Sequence, residues 1–223
     1  MKHLRWTLLL AAALAVCNVP VATAKPPGGA VVSPVHSVAG LSAGEVLGQS
    51  WAQQLEASAD AFLGGCDFVG KKGKVAVPVV DENFTSSCTV KPGTPVYVFP
   101  GSECSNVEED PFFGETETEQ QECAIAFDHE FFVSATVSVD GAAPVDIRTP
   151  RFEDVSPQMA VDLPEDNLLG APAGPATFAA HAWAFLVRGL TPGEHVITVV
   201  TEDVDGFVTE APLTISVVPR GRG

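Results

Sequence analysis

The chain is expected to fold as a mainly β protein, an antiparallel β-sandwich of immunoglobulin-like or jelly-roll type with one or two helices packed on it. Three observations carry that expectation. Val133, Ala135, Val137 and Val139 alternate with Ser134, Thr136, Ser138 and Asp140, the two-residue period of a strand with one buried face. Residues 178–187, 195–201 and 213–218 are further short apolar runs, separated by Thr191-Pro192-Gly193 and Asp205-Gly206 turn signals. Several strands at short intervals with few helical stretches point to packed sheets. Finally, Cys66 and Cys88 bracket the run 75–80, and Cys104 closes the run 96–100, so crosslinks and apolar strands share one stretch of chain.

At 223 residues and 46% hydrophobic content the chain is long enough for one domain with a substantial core. Its start reads as an address. Lys2 and Arg5 precede an apolar segment at 7–16, and Ala22-Thr23-Ala24 is a small-x-small site, so residues 1–24 are expected to be a signal peptide removed after Ala24. The apolar segment falls short of the roughly 20 residues that a membrane span requires. Leu14-Ala15-Val16-Cys17 has the outline of a lipoprotein box, which would tether the protein through Cys17; Val16 stands where that box wants a small residue. The remaining organisation is an extended lead-in at 25–40, a single β-rich domain at 41–218 and a loose tail at 219–223.

Without Cys17 four cysteines remain, an even number that in an exported chain reads as disulfides. Four cysteines allow three pairings, and the two local loops, Cys66 with Cys88 and Cys104 with Cys123, are favoured. Zinc is the rival reading, but no C-x-x-C spacing occurs. The formal net charge is −16, and losing Lys2 and Arg5 with the leader takes it to about −18. So negative a surface repels phosphate backbones and anionic membrane faces, which argues against a nucleic-acid partner.

In chain order, Ser42-Ala43-Gly44-Glu45 fits a capping box, and Leu47, Trp51, Leu55, Ala59 and Phe62 form one apolar stripe. A helix with Trp51 as its main anchor is expected there, ended by Gly64-Gly65. Residues 75–80 read as a short buried strand that Pro78 confines to an edge or a bulge. A hairpin around Pro92-Gly93 should then join 87–91 to 95–99. Residues 103–122 carry eight acidic and no basic side chains. Their first part, around 110–114, reads as a loop, and 116–128 as a helix with Cys123, Ala124 and Phe127 on one side. The strand at 133–139 turns at Asp140-Gly141 into a partner at 145–147. Residues 150–175, crowded with Pro, Gly and acidic side chains, read as the longest irregular segment.

Several spaced pieces resemble a largely uncharacterised group of secreted bacterial β-rich proteins. These are Gly48-Gln49-Ser50-Trp51, Cys88-Thr89-Val90-Lys91-Pro92-Gly93 followed by Val98-Phe99-Pro100 and Cys104, Val139-Asp140-Gly141, and Leu190-Thr191-Pro192-Gly193-Glu194-His195 with a closing strand at 214–218. The chain departs from that group in having only 75–80 where an aromatic-rich strand stands, and Ser86-Ser87 where a basic residue stands. The resemblance implies a secreted β-rich domain and supplies no catalytic residue.

No reactive motif assembles in the sequence. His129-Glu130-Phe131-Phe132 opens like a zinc-protease helix, but the second histidine would fall at Val133. There is no G-x-S-x-G elbow and no glycine loop shaped for phosphate. Asp128 and Glu130 flank His129, and Glu108, Glu109 and Asp110 cluster, so paired-carboxylate chemistry is available in principle; abundant acidic side chains on a solvated surface explain them more simply. Asp203 and Asp205 begin a weak calcium-loop pattern that a hairpin turn at Asp205-Gly206 explains as well. His181 and His195 lie in expected strands as packed or solvent-facing side chains. Arg148, Arg151 and Arg188 are expected to pair with carboxylates, with an anion clamp as the alternative.

These readings converge on a secreted, non-catalytic binding or cell-surface module with no cofactor, whose ligand is a glycan, an envelope component or a protein partner. The rival expectations are a secreted hydrolase built on dispersed carboxylates and a calcium-stabilised structural envelope protein. Sandwich folds host all three.

Overall fold

The structure, a computed structural model, describes residues 29–34, 37–59 and 64–219. The expected leader with Cys17 and Ala24, the stripe residue Phe62 and the tail beyond Pro219 lie outside the described residues. Within them the protein is mainly β. The strands, in chain order, are β1 (Ala30–Val32), β2 (Gly65–Val69), β3 (Val75–Val79), β4 (Ser86–Val90), β5 (Val96–Val98), β6 (Gly101–Ser105), β7 (Phe132–Val139), β8 (Val145–Asp146), β9 (Glu153–Val155), β10 (Met159–Leu163), β11 (Gly174–Trp183), β12 (Phe185–Arg188), β13 (Gly193–Asp203) and β14 (Val208–Val217). Two helices, α1 (Ala43–Leu55) and α2 (Glu117–Phe131), pack against them.

Three sheets share two cores. The first sheet has the order β1-β12-β5-β3-β2, the second β10-β11-β6 with β9 also on β11, and the third β4-β14-β13-β7-β8. Val96, Val98, Phe185 and Val187 of the first sheet pack against Val137, Ile197, Leu213 and Ile215 of the third, giving the sandwich core. On the opposite face of the first sheet, Tyr97, Val75 and Leu186 meet Val46, Leu47 and Leu55 of α1 and Phe178 and Ala180 of the second sheet. The first sheet is therefore the middle layer, with Phe185 and Val187 buried on one face and Tyr97 and Leu186 on the other. Cys66 in β2 and Cys88 in β4 stand at a Cα separation of 4.9 Å and bridge the first sheet to the third. Cys104 in β6 and Cys123 in α2, 6.1 Å apart at Cα, fasten the second helix to the second sheet.

The layer assignment explains where the local expectations depart from the fold. Residues 86–90 and 96–98 are joined by a turn in which the Thr94 amide donates to the Lys91 carbonyl at 3.1 Å, but they form no hairpin. β4 alternates buried and exposed side chains and so belongs to an outer layer, whereas Val96, Tyr97 and Val98 are all buried and belong to the middle one. β4 pairs in parallel with β14 instead, and β3 pairs in parallel with β5 at Ala76↔Val96, so the sheets are not purely antiparallel. Pro78 is not on an edge strand: β3 lies between β5 and β2, and the missing amide falls beyond the single register point shared with β5.

The expected strand at 178–187 is two. β11 ends at Trp183, Ala184 donates its amide to the Phe152 carbonyl at 2.7 Å, and β12 continues in a different sheet. Residues 150–175 are also more ordered than expected, since β9 and β10 both pair with β11. Val133 faces outward although Ala135, Val137 and Val139 are buried, because the register shifts at Glu202/Asp203 and moves Phe132 into the paired position.

Both helices begin with the capping boxes their sequences encode, Ser42 with Glu45 and Thr116 with Glu119. α1 ends at Leu55, short of Gly64-Gly65. Its fully buried anchors are Val46, Leu47 and Leu55, while Trp51 is half-buried at the layer's edge, its ring 6.2 Å from that of Phe99. Gly44 lets the helix approach β9 closely, since a Cβ there would stand 2.1 Å from the Val155 carbonyl oxygen. No described helix is long and apolar enough to cross a membrane.

Candidate functional site

α2 buries an unusual stripe. The side chains that face inward are Gln120, Ala124 and Asp128, one per turn, and two of the three are polar. The expected side, with Cys123 and Phe127, is only half-buried. Gln120 donates its side-chain amide to the Gly114 and Thr177 carbonyls at 2.9 and 3.1 Å, so the polar stripe binds helix to sheet through hydrogen bonds.

At the end of that stripe two strands and the helix bring chemistry together. β9 and β11 run antiparallel with Glu153 opposite Trp183 and Val155 opposite His181, which places Glu153, His181 and Trp183 on the sheet face that α2 covers. His181 is fully buried; its Nδ1 stands 2.7 Å from Asp128 Oδ2 and its Nε2 3.3 Å from Glu153 Oε1. His129, on the last turn of α2 and half exposed, brings its Nε2 to 2.7 Å from the same Glu153 oxygen. The three donor atoms of His129, Glu153 and His181 lie within 4.8 Å of one another and form a set able to hold a metal ion.

The surroundings hold this set in place. Asp128 Oδ2 also accepts the Ser102 amide at 3.1 Å, while Asp128 Oδ1 and Ser102 Oγ are buried with no partner among the described residues. Arg148 donates from Nη2 to the His129 carbonyl at 3.0 Å, capping the end of the helix, and its guanidinium lies 5.2 Å from the Trp183 ring centre. The Trp183 ring meets His181 edge-on at 5.2 Å and His129 at 5.4 Å. Burial pushes the Glu153 carboxyl up, but hydrogen bonds from His129 and His181 outweigh it and hold the group below the usual range. Its neighbour Asp154, on the other face of β9, is pushed up to about 7 by burial, against the pull of His181.

An apolar cleft opens beside this cluster. It has a volume of about 610 Å³ and lies between the first and third sheets, walled by Phe99, Phe131, Phe132 and Phe207 together with Trp51 and Phe84. Asp203 and Thr201 are among its few polar groups. Phe132 belongs to both features, since its ring also meets Trp183 edge-on at 5.8 Å.

The residues singled out in the sequence fall elsewhere or take other roles. Asp203 Oδ1 accepts the Asp205 and Phe207 amides at 3.0 and 2.9 Å, which builds the β13–β14 turn. His195 is buried and packed, with Nδ1 2.7 Å from Asp140 and Nε2 2.8 Å from the Thr191 carbonyl. Arg148 and Arg151 form no ion pair among the described residues and lie against Trp183 and Phe152 instead, while Arg188 is exposed. Glu130 is exposed. Glu108 instead meets a buried partner, Glu103, whose carboxyl is pushed up to about 9 by burial and by Glu108 itself. Glu153 carried no local signal, because it sits in a stretch that reads as irregular. His129 was visible only as half of a motif whose second histidine comes from 52 residues later in the chain rather than from the next helical turn.

No protein-family model and no curated protein matches this chain. Among solved structures, the solution structure of Amebosin is similar at 13% identity, over 62% of this chain and 93% of that one, with a TM-score of 0.24. A likeness at that level carries no argument.

Proposed function

We propose that the protein is an exported, non-catalytic binding module that takes the apolar part of a neutral amphiphile, an envelope component, into the cleft between its first and third sheets. The observation that carries this reading is the cleft itself, about 610 Å³ walled by Trp51 and five phenylalanines. Small-ligand sites are typically concave, of this order of volume and lined by aromatic side chains with few polar groups. Phe207 and Phe84 remain largely exposed at its walls. Charge selects the head group: Asp203 lines the cleft and the whole chain carries −16, so an anionic amphiphile is disfavoured. Two disulfide-bonded cysteine pairs support an oxidising compartment, and an export leader at 1–24 completes that reading.

The test titrates the oxidised protein with a monoacylglycerol, the fatty acid of the same chain length and a soluble oligosaccharide, following intrinsic tryptophan fluorescence and heat. Saturable binding of the monoacylglycerol is expected, with weaker binding of the fatty acid. Phe207→Ser and Phe84→Ser, both at exposed positions, should each weaken it about tenfold, as loss of one buried aromatic contact implies. Preference for the oligosaccharide, or affinity that neither substitution changes, would overturn the reading.

A further inference from the structure

We propose that His129, Glu153 and His181 form a binding site for a divalent late transition metal, with zinc as the expected occupant and Asp128 as the outer partner that orients His181. This inference does not depend on the amphiphile cleft.

The donor set decides the class of metal. Two imidazole nitrogens and one carboxylate suit zinc and its neighbours in the transition series, whereas calcium and magnesium take oxygen donors. Two histidines with one glutamate and an open position is a known three-residue arrangement for zinc. Geometry supports the same assignment. Both Nε2 atoms point at one oxygen of Glu153, at 2.7 and 3.3 Å, so a cation drawn between them would require only small side-chain rotations. A solvated ion pair needs no such convergence from three elements.

The outer contacts are those a histidine ligand uses. A metal-bound imidazole donates its second ring N–H to a carboxylate or carbonyl, which fixes ring orientation and raises the basicity of the ligating nitrogen. His181 Nδ1 meets Asp128 Oδ2 at 2.7 Å, with both side chains fully buried. That contact places Nε2 toward Glu153 and leaves the ring no freedom to turn away. Trp183 closes the apolar side of the cluster, and half-exposed His129 leaves the opposite side open for a cation to enter and for a fourth ligand to be solvent.

The sequence hides this site because its ligands come from a helix end and two strands, spaced by 24 and 28 residues. No short motif spans them.

The test uses oxidised protein stripped with a chelator and then titrated with zinc, cobalt and calcium, each metal alone. One equivalent of zinc should bind and raise the melting temperature, as a ligand of the folded state must. Cobalt should give the visible absorption of a nitrogen- and oxygen-ligated ion, and calcium should do neither. His129→Ala and Glu153→Gln alter partly exposed side chains and should each lower zinc affinity by about 100-fold, the upper end of what losing even an outer partner costs. The His129→Ala/Glu153→Gln double variant defines adventitious binding elsewhere on the chain. Zinc binding no tighter than in that double variant, equal binding of calcium, or an affinity unchanged by His129→Ala would each overturn the site.

Discussion

His181 Nδ1 and Asp128 Oδ2 lie 2.7 Å apart with neither side chain exposed to solvent, and 53 residues of chain separate them. The contact joins the last turns of α2 to the longest strand of the second sheet. Removing Asp128 leaves both the His181 ring nitrogen and the Ser102 amide buried without their partner, which costs far more than the two hydrogen bonds contribute net. Asp128→Ala should therefore destabilise the protein by about 2–6 kcal/mol, about 1–3 kcal/mol for each orphaned group. Asp128→Asn keeps an oxygen for the Ser102 amide and should cost about 1.5–3 kcal/mol. Urea unfolding of the oxidised protein measures both; equal stability of Asp128→Ala and the parent would remove this contact from the fold's essential interactions.

Close approach of α1 to β9 yields a second expectation. A Cβ at Gly44 would stand 2.1 Å from the Val155 backbone oxygen, whereas at Gly48 it would meet the flexible Met159 side chain at 2.9 Å. Backbone cannot yield as a thioether can, so Gly44→Ala should destabilise by about 1–3 kcal/mol and Gly48→Ala by clearly less. Thermal melts of the two variants side by side check the difference. Gly44→Ala should also shift β9, and with it Glu153.

Glu103 supplies a pH dependence. Its carboxyl is pushed up to about 9 in the folded protein by burial, with Glu108 adding to the effect, against an ordinary value of 4.5. The folded state therefore holds a proton that the unfolded state releases. The stability this contributes is complete below the unfolded value and is lost as pH rises from 4.5 toward about 9. The loss is on the order of several kcal/mol. Glu103→Gln cannot ionise, so its denaturation midpoint should fall much less between pH 5 and pH 8.5 than that of the parent, with Glu108 accounting for the remaining slope. Parallel pH profiles for the two proteins would show that Glu103 does not hold its proton.

Much of the fold was legible where local chemistry is decisive. The capping box at Ser42 starts α1, the composition of 116–128 marks α2, the alternation at 133–139 marks β7, and Asp140-Gly141 and Asp205-Gly206 turn their hairpins. Both cysteine pairs are the local ones that spacing favours. What was not legible is the sheet to which each strand belongs. Residues 86–90 and 96–98 are sequence neighbours across a good turn, yet they lie in different layers, because one run has a polar face and the other has none. Likewise 178–187 reads as one apolar run, although Ala184 breaks it between two sheets.

The candidate site was less legible still. In the sequence His129 lacks a partner at Val133, His181 reads as a packed strand residue, and Glu153 stands in a stretch of Pro and acidic side chains. The one signal that could have pointed there is the stripe Gln120, Ala124, Asp128, whose polar members at helical spacing on an inward face demand partners.

The amino-acid sequence by itself determined the mainly β class, the helix starts, the turns and the crosslinks, since each depends on residues within a few positions or on the chemistry of one residue type. Only tertiary structure decided the layer order, the burial of Asp128 with His181 and the convergence of His129, Glu153 and His181. Those depend on which faces find apolar partners once three sheets pack, and burial is a property of the assembled layers rather than of any one segment.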